Sequence, residues 1–124
     1  MDTRRKILSP GEALPAGAAP VALVTGYFDI LRAEHARQLA AVRRTTGAKT
    51  LIVLVLPLEG ELMEQAERAR MTAALRVVDY VITAEIGDVD RLIERFQPAA
   101  VVRLEEADAR QRRQLMEHVQ RRQT

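Results

Sequence analysis

The residues with the most chemical promise lie in one run, Val24-Thr25-Gly26-Tyr27-Phe28-Asp29-Ile30-Leu31-Arg32-Ala33-Glu34-His35, which joins a short apolar segment to a stretch of helical period. A glycine directly after a strand lets a ligand approach the backbone. The amino end of the following helix offers free amide hydrogens and the positive end of its dipole. That combination suits an anion, above all a phosphate. Arg32 adds a cation and His35 a ring nitrogen, whereas Glu34 places a carboxylate in the same turn. Each residue also has a purely structural reading. His35 precedes Leu39 by one helical turn and reads equally as a half-buried histidine. Glu34 reads as a first-turn acid favoured by the helix dipole, and Asp29 as a turn-forming aspartate.

These residues must be held by a scaffold, and the apolar pattern predicts one. Short β-branched runs alternate with longer stretches of helical period, which is the signature of βαβ units around a parallel sheet. Strands are expected at Val21 to Thr25, Thr50 to Leu56, Tyr80 to Thr83 and Ala99 to Leu104. The second is apolar on both faces, as a strand covered by helices on each side must be. Helices are expected at Ala33 to Thr45, with Gly47 as its stop, and at Glu61 to Val77, with Leu62, Ala66, Ala69, Ala73 and Val77 on one stripe. A third runs from Asp88, an N-cap candidate, to Phe96 before Pro98. Glu105 to Arg122 reads as a largely solvated helix whose few apolar anchors, Ala107, Leu115, Met116 and Val119, suit a homodimer contact. Arg68, Arg76 and His118 read as surface residues. Pro10, Gly11, Pro15, Gly17 and Pro20 make residues 1–20 an irregular leader, so a single domain is expected over 21–124. The fold class is α/β, a Rossmann-like three-layer sandwich with a mostly parallel sheet.

Composition narrows the chemistry further. With 124 residues, 48% hydrophobic and 29% charged, the chain is sized for one domain and too short for a catalytic domain plus a separate binding domain. No run approaches the roughly 20 apolar residues of a membrane span, and a cytoplasmic location without a membrane partner is expected. The absence of cysteine excludes disulfides and thiolate chemistry. Two separated histidines, His35 and His118, argue against a zinc site, so no metal is assigned to the protein itself. The pI near 9.5 reflects basic residues that are nearly all arginine, while the net charge is only +2. With 3% aromatics there is no stacking platform for bases, so nucleic acid is not an expected partner.

Gly26 through His35 resembles the G-x-F-D-x-x-H-x-G-H signature of the cytidylyltransferase-like nucleotidyltransferases. Within that superfamily the chain looks most like the adenylyltransferase domain of the bacterial ADP-heptose synthase family, which joins a sugar 1-phosphate to ATP. Lys6-Ile7-Leu8-Ser9 is similar to that family's lead-in. Arg68 through Val81 resembles its R-x-x-x-L-x-x-L-x-x-V-D-Y-V segment, and Pro98 to Val102 lies where its fourth strand falls. The resemblance spans roughly residues 6 to 104. It implies that Thr25, Gly26, Tyr27 and Phe28 bind nucleotide, ATP or CTP, that Asp29 orders the turn, and that Arg32 and His35 hold the catalytic positions, with Mg²⁺ required if the chain is active.

The departures from that signature are also specific. Arg32 stands at the first histidine position, and Glu34 at the glycine. A carboxylate about 4 Å from a phosphate costs on the order of 4 kcal/mol at an effective dielectric near 20, roughly a thousandfold in binding or rate. The family's lysine-bearing K-G-x-x-R-P loop is replaced by Pro57-Leu58-Glu59-Gly60-Glu61, shorter and acidic, and residues 105–124 contain no serine and no I-S/T-S/T-x-x-R stretch. Catalysis by positioning and charge stabilisation depends on those groups. Glu34 is thus site-disrupting, and the expectation is a transferase fold with activity lost or much reduced and weak nucleotide or phosphate binding retained. Two alternatives stay open: an active adenylyl- or cytidylyltransferase on a phosphorylated acceptor, and a non-catalytic protein-interaction module.

Overall fold

The computed structural model describes residues 3–29 and 33–105, so Arg32, His118 and all but the first residue of the expected terminal helix lie outside the described residues. Within that span a short 3-10 turn over Thr3–Lys6 leads into β1 (Ile7–Leu8), followed by β2 (Val21–Gly26), α1 (Ala33–Thr46), β3 (Thr50–Val55), α2 (Gln65–Ala73), β4 (Tyr80–Thr83), α3 (Val89–Phe96) and β5 (Ala100–Arg103). Among the described residues five strands form one sheet of order β1-β4-β3-β2-β5, parallel at every pairing. This is the Rossmann-like α/β sandwich expected from the alternating pattern.

The period of two along the strands sorts the core into two faces. Ala22, Val24, Leu51, Val53, Val55 and Val81 pack with Leu39 and Val42 of α1 and Ala69 and Ala73 of α2. Val21, Leu23, Ile52, Leu54 and Ile82 face the other way and pack with Val89 and Leu92 of α3. Every residue of β2 and β3 is buried, which is why their sequences are apolar without alternation.

Four differences from the sequence expectation have physical causes. Residues 1–20 are not irregular throughout: Ile7 and Leu8 extend the sheet by pairing with Val81 and Ile82. Two residues are too few to leave a periodic trace. The helix expected over Glu61 to Val77 occupies only Gln65–Ala73. Leu62 precedes it and is 70% exposed, so the apolar stripe does not begin there. Beyond Ala73 the chain tightens into turns, with Leu75 N–H donating to Thr72 O and Val78 N–H to Leu75 O, which drives Val78 into the core ahead of β4. Asp88 does not cap α3 through its side chain. Its carboxylate instead accepts from Glu85 N–H at 3.3 Å and from Arg91 Nη2 at 2.6 Å. Arg68, expected on a solvated face, is fully buried.

Turn chemistry elsewhere follows the sequence. Gly47 closes α1 with φ +65° and donates its N–H to Arg43 O. Asp79 anchors the entry to β4: its Oδ2 accepts from Leu51 N–H at 2.8 Å and from Arg43 Nη1 at 2.9 Å. No helix among the described residues is long and apolar enough to cross a membrane.

Candidate functional site at the switch point

The strand order reverses at β2. From β2 the chain proceeds outward through β3 and β4, and α3 then returns it to β5 on the opposite side of β2. In an open parallel sheet the ligand crevice lies outside the carboxyl ends of the strands at such a reversal, here where β2 and β5 end. Thr25, Gly26 and Tyr27 form one side of it, and Arg103, Leu104 and Glu105 the other. Leu104 N–H donates to Thr25 O at 2.8 Å, extending the β2–β5 ladder to the crevice floor.

The loop after β2 is set by packing. Phe28 adopts φ +52°, a left-handed conformation that a bulky residue rarely takes and that costs on the order of 1–3 kcal/mol. The compensation is burial, since Phe28 is 1% exposed. Its ring folds back over Gly26, where an added Cβ would lie 2.7 Å from Phe28 Cε2. The space opened by the missing Cβ of Gly26 is therefore used by the chain itself. His35, in the first turn of α1 and 4% exposed, lies against the same ring with centroids 5.5 Å apart and planes inclined at 59°. Glu34 beside it is half-buried.

Asp29 extends the order to the neighbouring loop. Its carboxylate accepts from Leu62 N–H at 2.9 Å and Met63 N–H at 3.1 Å, fixing the segment that leads into α2. Gln65, first in α2, donates from Nε2 to Val55 O at 2.8 Å and Ala84 O at 3.2 Å, tying the ends of β3 and β4 together.

Arg68 is the buried centre of this edge. Its Nη1 donates to Tyr27 O at 2.7 Å and Leu56 O at 2.8 Å, its Nε to Met63 O at 3.0 Å, and its Nη2 to Glu61 Oε2 at 2.7 Å. One guanidinium thus joins the loop after β2, the end of β3 and the acidic loop before α2, a task its planar fork of donors performs and a lysine cannot. Arg68 shares the buried face of α2 with Ala69, Thr72 and Ala73, while its neighbours Glu64, Glu67 and Arg70 are exposed, so its sequence surroundings read as a solvated helix. The matching acceptors are mostly backbone atoms, which leave no sequence trace.

A carboxylate occupies the crevice floor. The hydroxyl of Thr25, fully buried, donates to Glu105 Oε2 at 2.6 Å, and Arg103 Nη1 lies 4.0 Å from Glu105 Oε1. Among the candidates named from sequence, the fold brings Thr25, Gly26, Tyr27, Phe28, Asp29, Glu34 and His35 to one edge of the sheet. Glu105 and Arg68 are the additions the sequence reading lacked. A separate cleft of about 330 Å³ lies at the opposite, amino edge, lined by Leu14, Pro15, Ala18, Val21, Arg95 and Phe96. Arg95 is committed there to Pro10 O and Gly11 O at 2.7 Å each.

A parallel sheet with helices on both faces and a glycine-led loop at its switch point defines a Rossmann-like α/β protein. Residues 23–122 match the family described as cytidylyltransferase-like. The chain belongs to that family. It is 33% identical over 100 residues, 74% of its length, to the bifunctional protein HldE of Geobacter metallireducens, and it spans only 20% of that protein. In structure it resembles a lipopolysaccharide core biosynthesis protein from Thermoplasma volcanium, with TM-score 0.59 and 23% identity over 65% of this chain and 70% of that one, a likeness of fold.

Proposed function

We propose that this chain is a nucleotidyltransferase-fold protein whose transferase activity is lost or much reduced and which retains a weak site for a nucleotide or phosphate. That site comprises Thr25, Gly26, Tyr27, Phe28, Arg32 and His35. The observation that carries this reading is the charge at the carboxyl edge of the sheet. Glu105 is bound to Thr25 on the crevice floor, and Glu61 takes up the buried cation Arg68. Phosphoryl transfer relies on cations and amide dipoles aimed at the phosphates, and here carboxylates hold part of that ground. Glu34, at the family's glycine position, adds to the repulsion.

Among the described residues no three acidic or histidine side chains converge on a metal position. If Mg²⁺ takes part, it belongs to the phosphates it arrives with, where it would neutralise charge, as its preference for phosphate and water ligands allows. His35 stands at the family's second histidine position, which favours the active-transferase alternative, while its burial against Phe28 suits a structural histidine equally.

Thermal shift with Mg-ATP and Mg-CTP separates these readings, applied to the native chain beside an Arg32→His/Glu34→Gly double variant. A ligand at 100 times its dissociation constant stabilises by about 2.7 kcal/mol. The proposal expects a small response from the native chain and a clear one from the variant. Pyrophosphate release at ordinary enzymatic rates by the native chain, over a panel of phosphorylated acceptors, would sink it in favour of the active alternative. No nucleotide response from either protein would favour the interaction module.

A further inference from the structure

We infer that Glu105 is the specificity-determining residue of the switch-point crevice, holding the donor that a ligand oxygen would otherwise take and rejecting anions by its charge. The inference rests on the nucleotide-binding reading above and deepens it. Thr25, the last residue but one of β2, is fully buried, so its hydroxyl has one fixed direction of use. That direction is taken by Glu105 Oε2 at 2.6 Å, a charge-assisted bond in the short range. The Glu105 side chain keeps only 18% of its exposure, so water screens it poorly. A phosphate entering here must displace the carboxylate from Thr25 or sit beside it. At about 4 Å and an effective dielectric near 20 the second arrangement weakens binding by roughly a thousandfold. Arg103, 4.0 Å from the other carboxylate oxygen, offsets part of this charge, so the expected penalty lies between about tenfold and that limit.

The test is isothermal titration of the full chain with Mg-ATP, Mg-CTP and inorganic pyrophosphate. The native protein is compared with Glu105→Gln, Glu105→Ala and Glu105→Asp. Glutamine keeps an acceptor for Thr25 and removes only the charge, alanine removes both, and aspartate keeps the charge. Glutamine and alanine variants are expected to bind at least one of the three ligands tenfold or more tighter than native, and the aspartate variant is not. If glutamine and alanine bind no tighter than a weakly binding native chain, the role of Glu105 is overturned while the nucleotide reading stands. If those two bind and the native chain does not, the role stands and retention of a working native site falls. Equal tightening by aspartate overturns the role of charge, and silence from all four proteins overturns both readings.

Discussion

Replacing Arg68 by alanine tests whether the candidate site is held together as described. The substitution removes donors to Tyr27 O, Leu56 O, Met63 O and Glu61. Leu56 is 6% exposed, so its carbonyl stays buried without the guanidinium, at about 1–3 kcal/mol for an orphaned acceptor. The carbonyls of Tyr27 and Met63 are partly buried and lose less. The Glu61 side chain is 35% exposed and rehydrates when its partner leaves, so the ion pair itself adds little. Together with the void left by a large buried side chain, the cost is about 3–5 kcal/mol. For a domain of this size that corresponds to a melting temperature lower by roughly 10–20 °C. Arg68→Lys is expected to recover only a minor part, because one ammonium cannot reach acceptors spread over three segments. Glu61→Gln is expected to stay within about 1 kcal/mol of native. Differential scanning calorimetry reads all three. Were Arg68→Ala to melt within about 3 °C of the native chain, as a solvated arginine would, the buried clamp would not exist in solution.

Other consequences are equally direct. Gly26→Ala forces a Cβ to within 2.7 Å of the Phe28 ring and is expected to destabilise by about 1–3 kcal/mol. Less than additive loss in a Gly26→Ala/Phe28→Leu double-mutant cycle would place the clash at that ring, and strict additivity would exclude it. Asp79→Ala deprives Leu51 N–H and Arg43 Nη1 of their shared acceptor, with an expected loss of about 1–3 kcal/mol in chemical denaturation at unchanged m-value. The carboxyl of Glu12 is held below its usual range, chiefly by the Ser9 hydroxyl and then by the Ser9 amide. A depressed carboxyl favours the folded state above its unfolded pKa, and that contribution disappears as pH falls through the folded value. An NMR titration should show the Glu12 midpoint low in the native chain and closer to normal in Ser9→Ala. Identical midpoints would remove the hydroxyl as the cause.

The scaffold was legible wherever burial on two faces dictates composition. From Leu51 to Val55 β3 is apolar at every inward and outward position because helices cover both sides, and Tyr80–Thr83 has the bounds its β-branched run suggests. Gly47 and Asp79 were legible because turns demand particular backbone freedom or a particular acceptor. The helix before β4 was overextended for a related reason. Leu62 has the spacing of a core residue, yet Asp29 holds its backbone and leaves its side chain in solvent. Periodicity reports which side chains share a face only if the backbone is helical, and an amide fixed from outside the segment removes that premise. Phe28 is a comparable case. Nothing in its side chain announces a φ of +52°, which follows from the pressure to bury the ring over Gly26.

The site was only half legible, and the missing half is a matter of strand order. Glu34 could be weighed from sequence because it lies in the same run as the glycine and the helix start. Glu105 lies 80 residues from Thr25 and meets it only because β5 returns to the free side of β2. An order with β5 beyond β4 would leave the same apolar pattern in every strand and would carry Glu105 away from the crevice. Register matters as much as order. Thr25 is aligned with Arg103, and that pairing brings the chain leaving β5 back to Thr25 two residues later, at Glu105. Composition and periodicity do not encode that alignment, which is the pairing of Ala22 with Ala100 through Thr25 with Arg103. The same reasoning sharpens the test of the crevice. Glu106→Gln removes the same unit of charge from the adjacent residue, so it should leave nucleotide affinity close to native if the register sets specificity. Tightening equal to that of Glu105→Gln would show a diffuse field from the edge of the sheet instead of one carboxylate held on Thr25.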